Sequence, residues 1–293
     1  MQFKDIELSD KAIFDDYYKK NKQISSYTSF VTLYTWRRLT KAAYAMYDGE
    51  LIIKFFSCRD DRSCFVLPQS KKENIKKVID FLIKEEGKIR IYHITNEQYE
   101  IIKELYGDIF TYERRRNDDN YIYESKKLIS LAGKKLHSKR NFLNRFKKEY
   151  EYSYVKLDEE LAKKCVNTAI KWCERKTCET GDSMNMELSA CETALLNMNK
   201  LRLLGGAILI NGEIAAFSLG EILNDEVAIV HFEKGNTDYV GIYPAINNEF
   251  VKNELSDIKY VNREEDMGVE GLRKAKLSYY PSFMLEFYVI DNG

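Results

Sequence analysis

Three stretches of the sequence concentrate residues able to bind or move charge. The densest is YVNREEDMGVEGLRKAKLSYYP, residues 260 to 281. If KYVNREED is a strand, its period of two places Tyr260, Asn262, Glu264 and Asp266 on one face and Arg263 and Glu265 on the other. Met267-Gly268 turns the chain, and a helix is expected from about Val269. On it Leu272, Ala275 and Tyr279 form an apolar stripe, with Arg273, Lys276 and Tyr280 aligned beside them. An acidic strand end then faces a basic helix start across a glycine turn. That pairing suits a zwitterion, carboxylates meeting an ammonium and a guanidinium meeting a carboxylate or phosphate. A salt-bridge network that only fixes the turn would leave the same pattern. Stability separates the two: a ligand-facing Asp266 or Arg273 should tolerate Asp266→Asn or Arg273→Gln with little change in melting temperature.

The second stretch is KKLHSKRNFLNRFKK. Seven of its residues are basic (Lys134, Lys135, Lys139, Arg140, Arg145, Lys147 and Lys148) and none is acidic. Such a local field suits phosphate oxygens, although a solvated helix face has the same composition. Leu136, Leu143, Phe146 and Tyr150 mark the buried stripe, and Lys139 or Arg140 must fill the turn between Leu136 and Leu143. A charge at that edge needs a partner, either a ligand phosphate or an internal carboxylate. The third stretch, EVAIVHFEKG, puts Val227, Ile229, His231 and Glu233 on one face of a strand. His231 and Glu233 together could deprotonate an attacking amine. The competing reading is a satisfied core histidine beside an ion-paired glutamate.

Composition sets limits on these readings. The 293 residues carry 46 basic and 46 acidic side chains, so the whole-chain charge favours neither nucleic acid nor membrane, and any electrostatic site is local. The opening MQFKDIELSD has no apolar signal-peptide core, and no stretch reaches a bilayer-spanning length without charge. Cys58, Cys64, Cys165, Cys173, Cys178 and Cys191 form no CxxC pair, and His93, His137 and His231 are dispersed, which argues against zinc. Reduced thiols, mostly buried, and a cytoplasmic location are expected. Three prolines and no Ser/Gly-rich linker imply a tight domain boundary.

The elements that must position these residues recur in one order. SDKAIFDDYYKKN and SYTSFVTLYTWRRLTK read as helices, and AAYAMYDGELIIKFFS as a hairpin about Asp48-Gly49. A helix with Ile75, Val78, Ile79 and Leu82 on one face follows, then strand KIRIYHIT, helix NEQYEIIKELYG and strand FTYERRR. The second half repeats the scheme. It has the basic helix over 134–149, strand YSYVKL, two helices, a hairpin about Asn211-Gly212, strand EVAIVHFEKG, helix IYPAINNEFVKNEL, strand KYVNREED, helix VEGLRKAKLSYY and strand SFMLEFYVI. Helix pair, hairpin, then alternating strand and helix is the order of a GNAT-type acyltransferase domain. The fold class expected is α/β (α+β), two tandem GNAT-like domains over 1–124 and 125–293, each a mixed, mainly antiparallel sheet flanked by helices.

YIYESKKLISLAGKKLHSKRNFLNRFKKEY and YVNREEDMGVEGLRKAKLSYYPSFMLEFY resemble a bacterial domain family of uncharacterised function. That family is similar to the C-terminal catalytic region of phosphatidylglycerol lysyltransferases, and GLRKAKLSYYP looks like a stretch of those enzymes themselves. The resemblance implies aminoacyl transfer from aminoacyl-tRNA to an amine or hydroxyl acceptor. A lipid head group at the inner membrane face is one such acceptor, although the multi-helix membrane region of the lysyltransferases has no counterpart in this sequence. It also implies that the central strand splays from its neighbour to open the site. Glu233, Glu264 and Asp266 are then the catalytic candidates, and Asn262, Arg263, Arg273, Lys276 and His231 the substrate-binding ones. Lys135, Lys139, Arg140 and Arg145 are the candidates for phosphate and tRNA. No metal or cofactor is expected. Acyl-CoA-dependent N-acyl transfer, or non-catalytic binding of an amino acid or aminoacyl-tRNA, stays open. Against CoA stands the turn EKGNTDYVGIYPAIN, whose two glycines are six residues apart and whose Asp238 would meet a pyrophosphate.

Overall fold

The computed structural model describes residues 1–56, 63–176 and 182–293. The chain begins with β1 (Lys4–Asp5), α1 (Lys11–Lys20), α2 (Phe30–Thr40), β2 (Ala43–Tyr47), β3 (Glu50–Phe56) and β4 (Ser63–Val66). It continues through α3 (Lys72–Glu86), β5 (Arg90–Thr95), α4 (Asn96–Tyr106), β6 (Thr111–Arg114) and β7 (Asn120–Glu124). After these come α5 (Ser125–Ser130), α6 (His137–Glu149), β8 (Tyr152–Lys156), α7 (Glu159–Lys176), α8 (Asp182–Leu196) and α9 (Met198–Leu201). The last elements are β9 (Leu204–Ile210), β10 (Glu213–Ile222), β11 (Val227–Gly235), α10 (Ile242–Glu254), β12 (Tyr260–Asn262), α11 (Glu270–Leu277), β13 (Phe283–Leu285) and β14 (Phe287–Asp291).

Both expected hairpins form at the expected residues. Asp48 and Gly49 have φ of +50° and +82°, and Asn211 and Gly212 have +53° and +80°. Two left-handed residues in succession are what a two-residue turn needs to match the twist of its strands. The strands make two seven-stranded sheets, ordered β1-β2-β3-β4-β5-β14-β6 and β13-β7-β12-β11-β10-β9-β8. In each, an antiparallel run ends in a helical crossover to a parallel neighbour, α3 leading into β4–β5 pairing and α10 into β11–β12 pairing. These are two tandem GNAT-like sheets flanked by helices.

Two compact units result. One holds Met1–Asn120, Glu265–Glu270 and Met284–Gly293, the other Tyr121–Glu264 and Gly271–Phe283. A division near residue 124 differs from this in strand allocation. β7 lies in the second sheet, and SFMLEFYVI is not one strand but β13 and β14, which enter different sheets. Hydrophobic alternation says that a segment is a strand; it does not say which edge receives it.

In the first unit the helix α3 stripe packs as its spacing requires, with Ile75, Val78, Ile79 and Leu82 buried against Phe65, Ile91, Ile94 and Ile102. Each such side chain contributes roughly 1.5–3 kcal/mol on burial. In the second unit α10 is buried along much of its length, Ile246, Phe250 and Val251 included. Cys64, Cys165 and Cys191 are buried and Cys173 is partly buried; Cys58 and Cys178 lie outside the described residues.

Candidate functional site in the second unit

β11 and β12 pair for only three residues, Val227 with Tyr260, Ala228 with Val261 and Ile229 with Asn262. β11 then runs on to Gly235, while the chain after β12 stays with β7, where the Arg263 N–H donates to the Tyr121 carbonyl and the Tyr121 N–H to the Glu264 carbonyl. The two central strands therefore part, and side chains instead of backbone bonds cross the opening.

The first bridge is built on His231. Its side chain is 3% exposed, with Nδ1 2.9 Å from Glu264 Oε1 and Nε2 3.0 Å from Glu221 Oε1. Burial alone would lower its pKa, but the hydrogen bonds to Glu221 and Glu264, together with their charges, lift it to about 9. His231 is an imidazolium at neutral pH and donates from both nitrogens, so it cannot itself act as the base. Because the ring separates the carboxylates, they do not converge as metal ligands. Among the described residues no group of three His, Cys, Asp or Glu side chains is placed to hold a metal ion.

The second bridge joins Glu233 to Arg263. Arg263 Nη2 donates to Glu233 Oε1 at 2.9 Å, and Asn247 Nδ2 on α10 donates to Oε2 at 3.0 Å. The guanidinium lies 4.9 Å from the ring centre of Tyr279 and 5.8 Å from that of Tyr123. Two atoms here are buried without a hydrogen-bond partner among the described residues, Arg263 Nη1 and Asn247 Oδ1. An orphaned donor and an orphaned acceptor, both attached to one carboxylate, are costly to keep. Beside them Lys139 of α6 sits 4.6 Å over the Tyr279 ring. Burial and then the charge of Arg263 pull its pKa below the ordinary lysine value. Arg263 and Lys139 thus both lie over the Tyr279 ring.

The expected site is redistributed by these contacts. The strand KYVNREED stops at Asn262, because Glu264 (φ +56°) and Met267 (φ +52°) are left-handed and break the alternation. Asn262 is fully buried and its Oδ1 accepts the Glu264 N–H at 2.8 Å, a turn made by a side chain on its own backbone two residues on. Asp266 repeats the device, its Oδ1 accepting the Gly268 N–H at 2.8 Å. It belongs to the first unit, is 0% exposed and pairs with Arg116 at 3.4 Å. The expectation that Asp266 shares a strand face with Glu264 is therefore corrected: the strand ends at Asn262 and Asp266 lies in the turn. Gly268 is required there, since at φ +78° a Cβ would lie 2.9 Å from Asn117 Nδ2. Lys276 Nζ donates to the Arg263 carbonyl at 2.5 Å, which fixes the backbone beneath the guanidinium. Arg273 is half-buried on α11.

The basic helix starts at His137, so Lys134 and Lys135 precede it. Leu136, Leu143 and Phe146 are buried as expected, whereas Tyr150 is only half-buried. Arg140 Nη1 donates to the carbonyls of Leu131 and Gly133, closing the end of α5, and Arg145 pairs with Glu149 at 3.0 Å on the surface. Lys135 lies over the Tyr280 ring at 5.4 Å. Glu221 and Asn247 were not among the candidates. Both carried a signal: a glutamate in the apolar run of β10, and an Asn-Asn-Glu step inside a helix that is otherwise buried and apolar.

Several backbone donors in the turn before α10 are engaged internally. Val240 N–H donates to Tyr150 Oη, Ile242 N–H to the Tyr239 carbonyl and Ala245 N–H to the Gly241 carbonyl, while Pro244 has none. A pyrophosphate would need such groups. Acetyl-CoA is accordingly expected to leave the melting temperature within about 1 °C of the apo value at concentrations that saturate CoA-dependent enzymes. A clear rise in a thermal-shift assay would contradict this.

Residues 19–291 match the family model described as phosphatidylglycerol lysyltransferase, C-terminal. The chain belongs to that family. A conserved protein of unknown function from Bacteroides thetaiotaomicron is 32% identical, with TM-score 0.92 over 99% of each chain. L-PGS from Bacillus licheniformis, at 14% identity, shares the fold with TM-score 0.67, covering 98% of this chain and 92% of that one. An uncharacterised protein of Mycoplasmoides gallisepticum is 28% identical over 208 residues, 69% of this chain, and the match spans 64% of that relative's length. The lysyltransferase C-terminal family and tandem GNAT proteins share this two-sheet fold, and no helix among the described residues is long and apolar enough to cross a membrane.

Proposed function

We propose that the chain transfers an aminoacyl group from an aminoacyl-tRNA to an amine or hydroxyl acceptor, with the parted strands of the second unit as the seat of the reaction. The observation that carries this reading is the Glu233–Arg263–Asn247 cluster beside the opening, with its orphaned guanidinium nitrogen and amide oxygen. Glu233 offers a fixed negative charge to the α-ammonium of the aminoacyl group, and Asn247 Oδ1 a second acceptor. Arg263 Nη1 is a donor for the oxyanion that develops as the acceptor attacks the ester carbonyl. The acceptor must lose a proton and the departing ribose oxygen must gain one. Glu264, held by His231 and partly open to solvent, takes the first and returns it to the departing ribose oxygen. Lys139 and Lys135, each set over a tyrosine ring, meet the phosphates and bases of the acceptor end.

Lys139→Ala tests the donor. Aminoacyl-tRNA binding is expected to weaken several-fold, and the slope of log affinity against log salt to fall by about one unit. Arg145→Ala, which removes only a surface pair, is expected to change either much less. If wild-type protein binds tRNA equally at low and high salt, the assignment of a tRNA donor fails.

A further inference from the structure

The first unit contains a cavity that the transfer reaction does not use. Its volume is about 260 Å³, larger than the apolar cavities of about 150 Å³ that admit benzene. Leu33 and Trp36 of α2, Phe55 of β3 and Val66 of β4 supply apolar walls. His93 of β5 also lines it, its ring stacked 3.4 Å from that of Tyr27 at an interplanar angle of 7°. The pocket is half open to solvent, so a small molecule can reach these walls.

Two polar atoms in that wall lack partners. His93 Nδ1 and Thr32 Oγ1 are both withheld from solvent, and neither has a hydrogen bond among the described residues. Asp118 Oδ2 stands 4.0 Å from Nδ1, too far for one. Burial, and then the nearby charge of Arg115, hold the His93 pKa down to about 3, so the ring is neutral and keeps a lone pair. Thr32 can turn its hydroxyl about χ1 without breaking any bond. His93 is also held at φ +55°, a left-handed conformation inside a strand. Glu265 in the lining opposes an anion, and the apolar walls oppose a lone charge.

We propose that this cavity is a binding site for a small, neutral, flat aromatic molecule carrying one N–H or O–H group, which donates to His93 Nδ1 while its ring packs against Trp36 and Phe55. The stacked Tyr27 holds the imidazole plane rigid, and Thr32 serves any oxygen that the ligand brings. The site is independent of aminoacyl transfer and stands or falls separately from it.

Indole and benzofuran distinguish the elements of the proposal, being nearly the same shape with and without a donor. Calorimetry on the intact chain is expected to show saturable indole binding, about fivefold tighter than benzofuran. The chain has three histidines, so the ring nitrogens of each are separable by nitrogen-15 NMR. The Nδ1 resonance of His93 is expected to move with indole and to stay in place with benzofuran. Equal affinity for the two probes would overturn the role of His93. Absence of binding by either, or indole binding that leaves the His93 resonance unmoved, would overturn the site.

Discussion

Replacing Arg263 with methionine is expected to destabilise the protein by about 3–5 kcal/mol and to abolish transfer. The guanidinium side chain is 12% exposed, and its partner Glu233 13%. Methionine retains an apolar stem against Tyr123 and Tyr279 but leaves the Glu233 carboxylate buried with only the Asn247 amide. A loss of that size lowers the melting temperature by on the order of 10 °C in a unit of this size. The double variant Arg263→Met with Glu233→Gln is expected to recover much of the stability, because no unpaired charge then remains. It is not expected to recover activity. A single Arg263→Met variant that melts within about 2 °C of wild type would mean that water already solvates this pair.

The His231 bridge makes stability depend on pH in the alkaline direction. The folded-state pKa is about 9, against the ordinary value of 6.5 for an unfolded chain. A raised pKa means that the folded state holds the proton more tightly. The resulting stabilisation is complete below pH 6.5 and is lost as pH rises through 9. The stabilisation is on the order of 3 kcal/mol. Urea unfolding between pH 6 and 10 should show this decline in wild type. In His231→Gln the same window should be flat and the starting stability lower, since Glu221 and Glu264 would face each other's charge with no cation between them. An equal decline in both proteins would assign the effect to other groups.

Local chemistry was legible where the chain obeys one period. The α3 stripe, both left-handed hairpin turns and the basic helix lie where apolar spacing and Asp-Gly or Asn-Gly placed them. The opposed charges after β12 were also visible as a cluster, but their grouping was not. The alternation of β12 does not persist to Asp266. Side chains that bond their own backbone, Asn262 to Glu264 and Asp266 to Gly268, redirect the chain instead. Two residues of one sequence run consequently belong to different units, Glu264 with His231 and Asp266 with Arg116. Glu221 and Asn247 were hidden for another reason. Their partners are ten and fourteen residues away, and the pairing of β10 and α10 with β11 is a property of the sheet rather than of any local pattern. Arg140 likewise spends its charge on carbonyls of the preceding turn, which no charge count reveals.

If the second unit moves an aminoacyl group, that group must leave the tRNA faster than water alone removes it. The most direct measurement is a transfer assay in which the protein is incubated with a pool of radiolabelled aminoacyl-tRNAs and supplied with phosphatidylglycerol vesicles and soluble amines, the lipid and aqueous fractions being counted separately. Label is expected to leave the tRNA for one fraction at a rate above spontaneous hydrolysis, with no such excess for Glu264→Gln. Label that stays on the tRNA, or leaves it equally fast with wild type and Glu264→Gln, would contradict it.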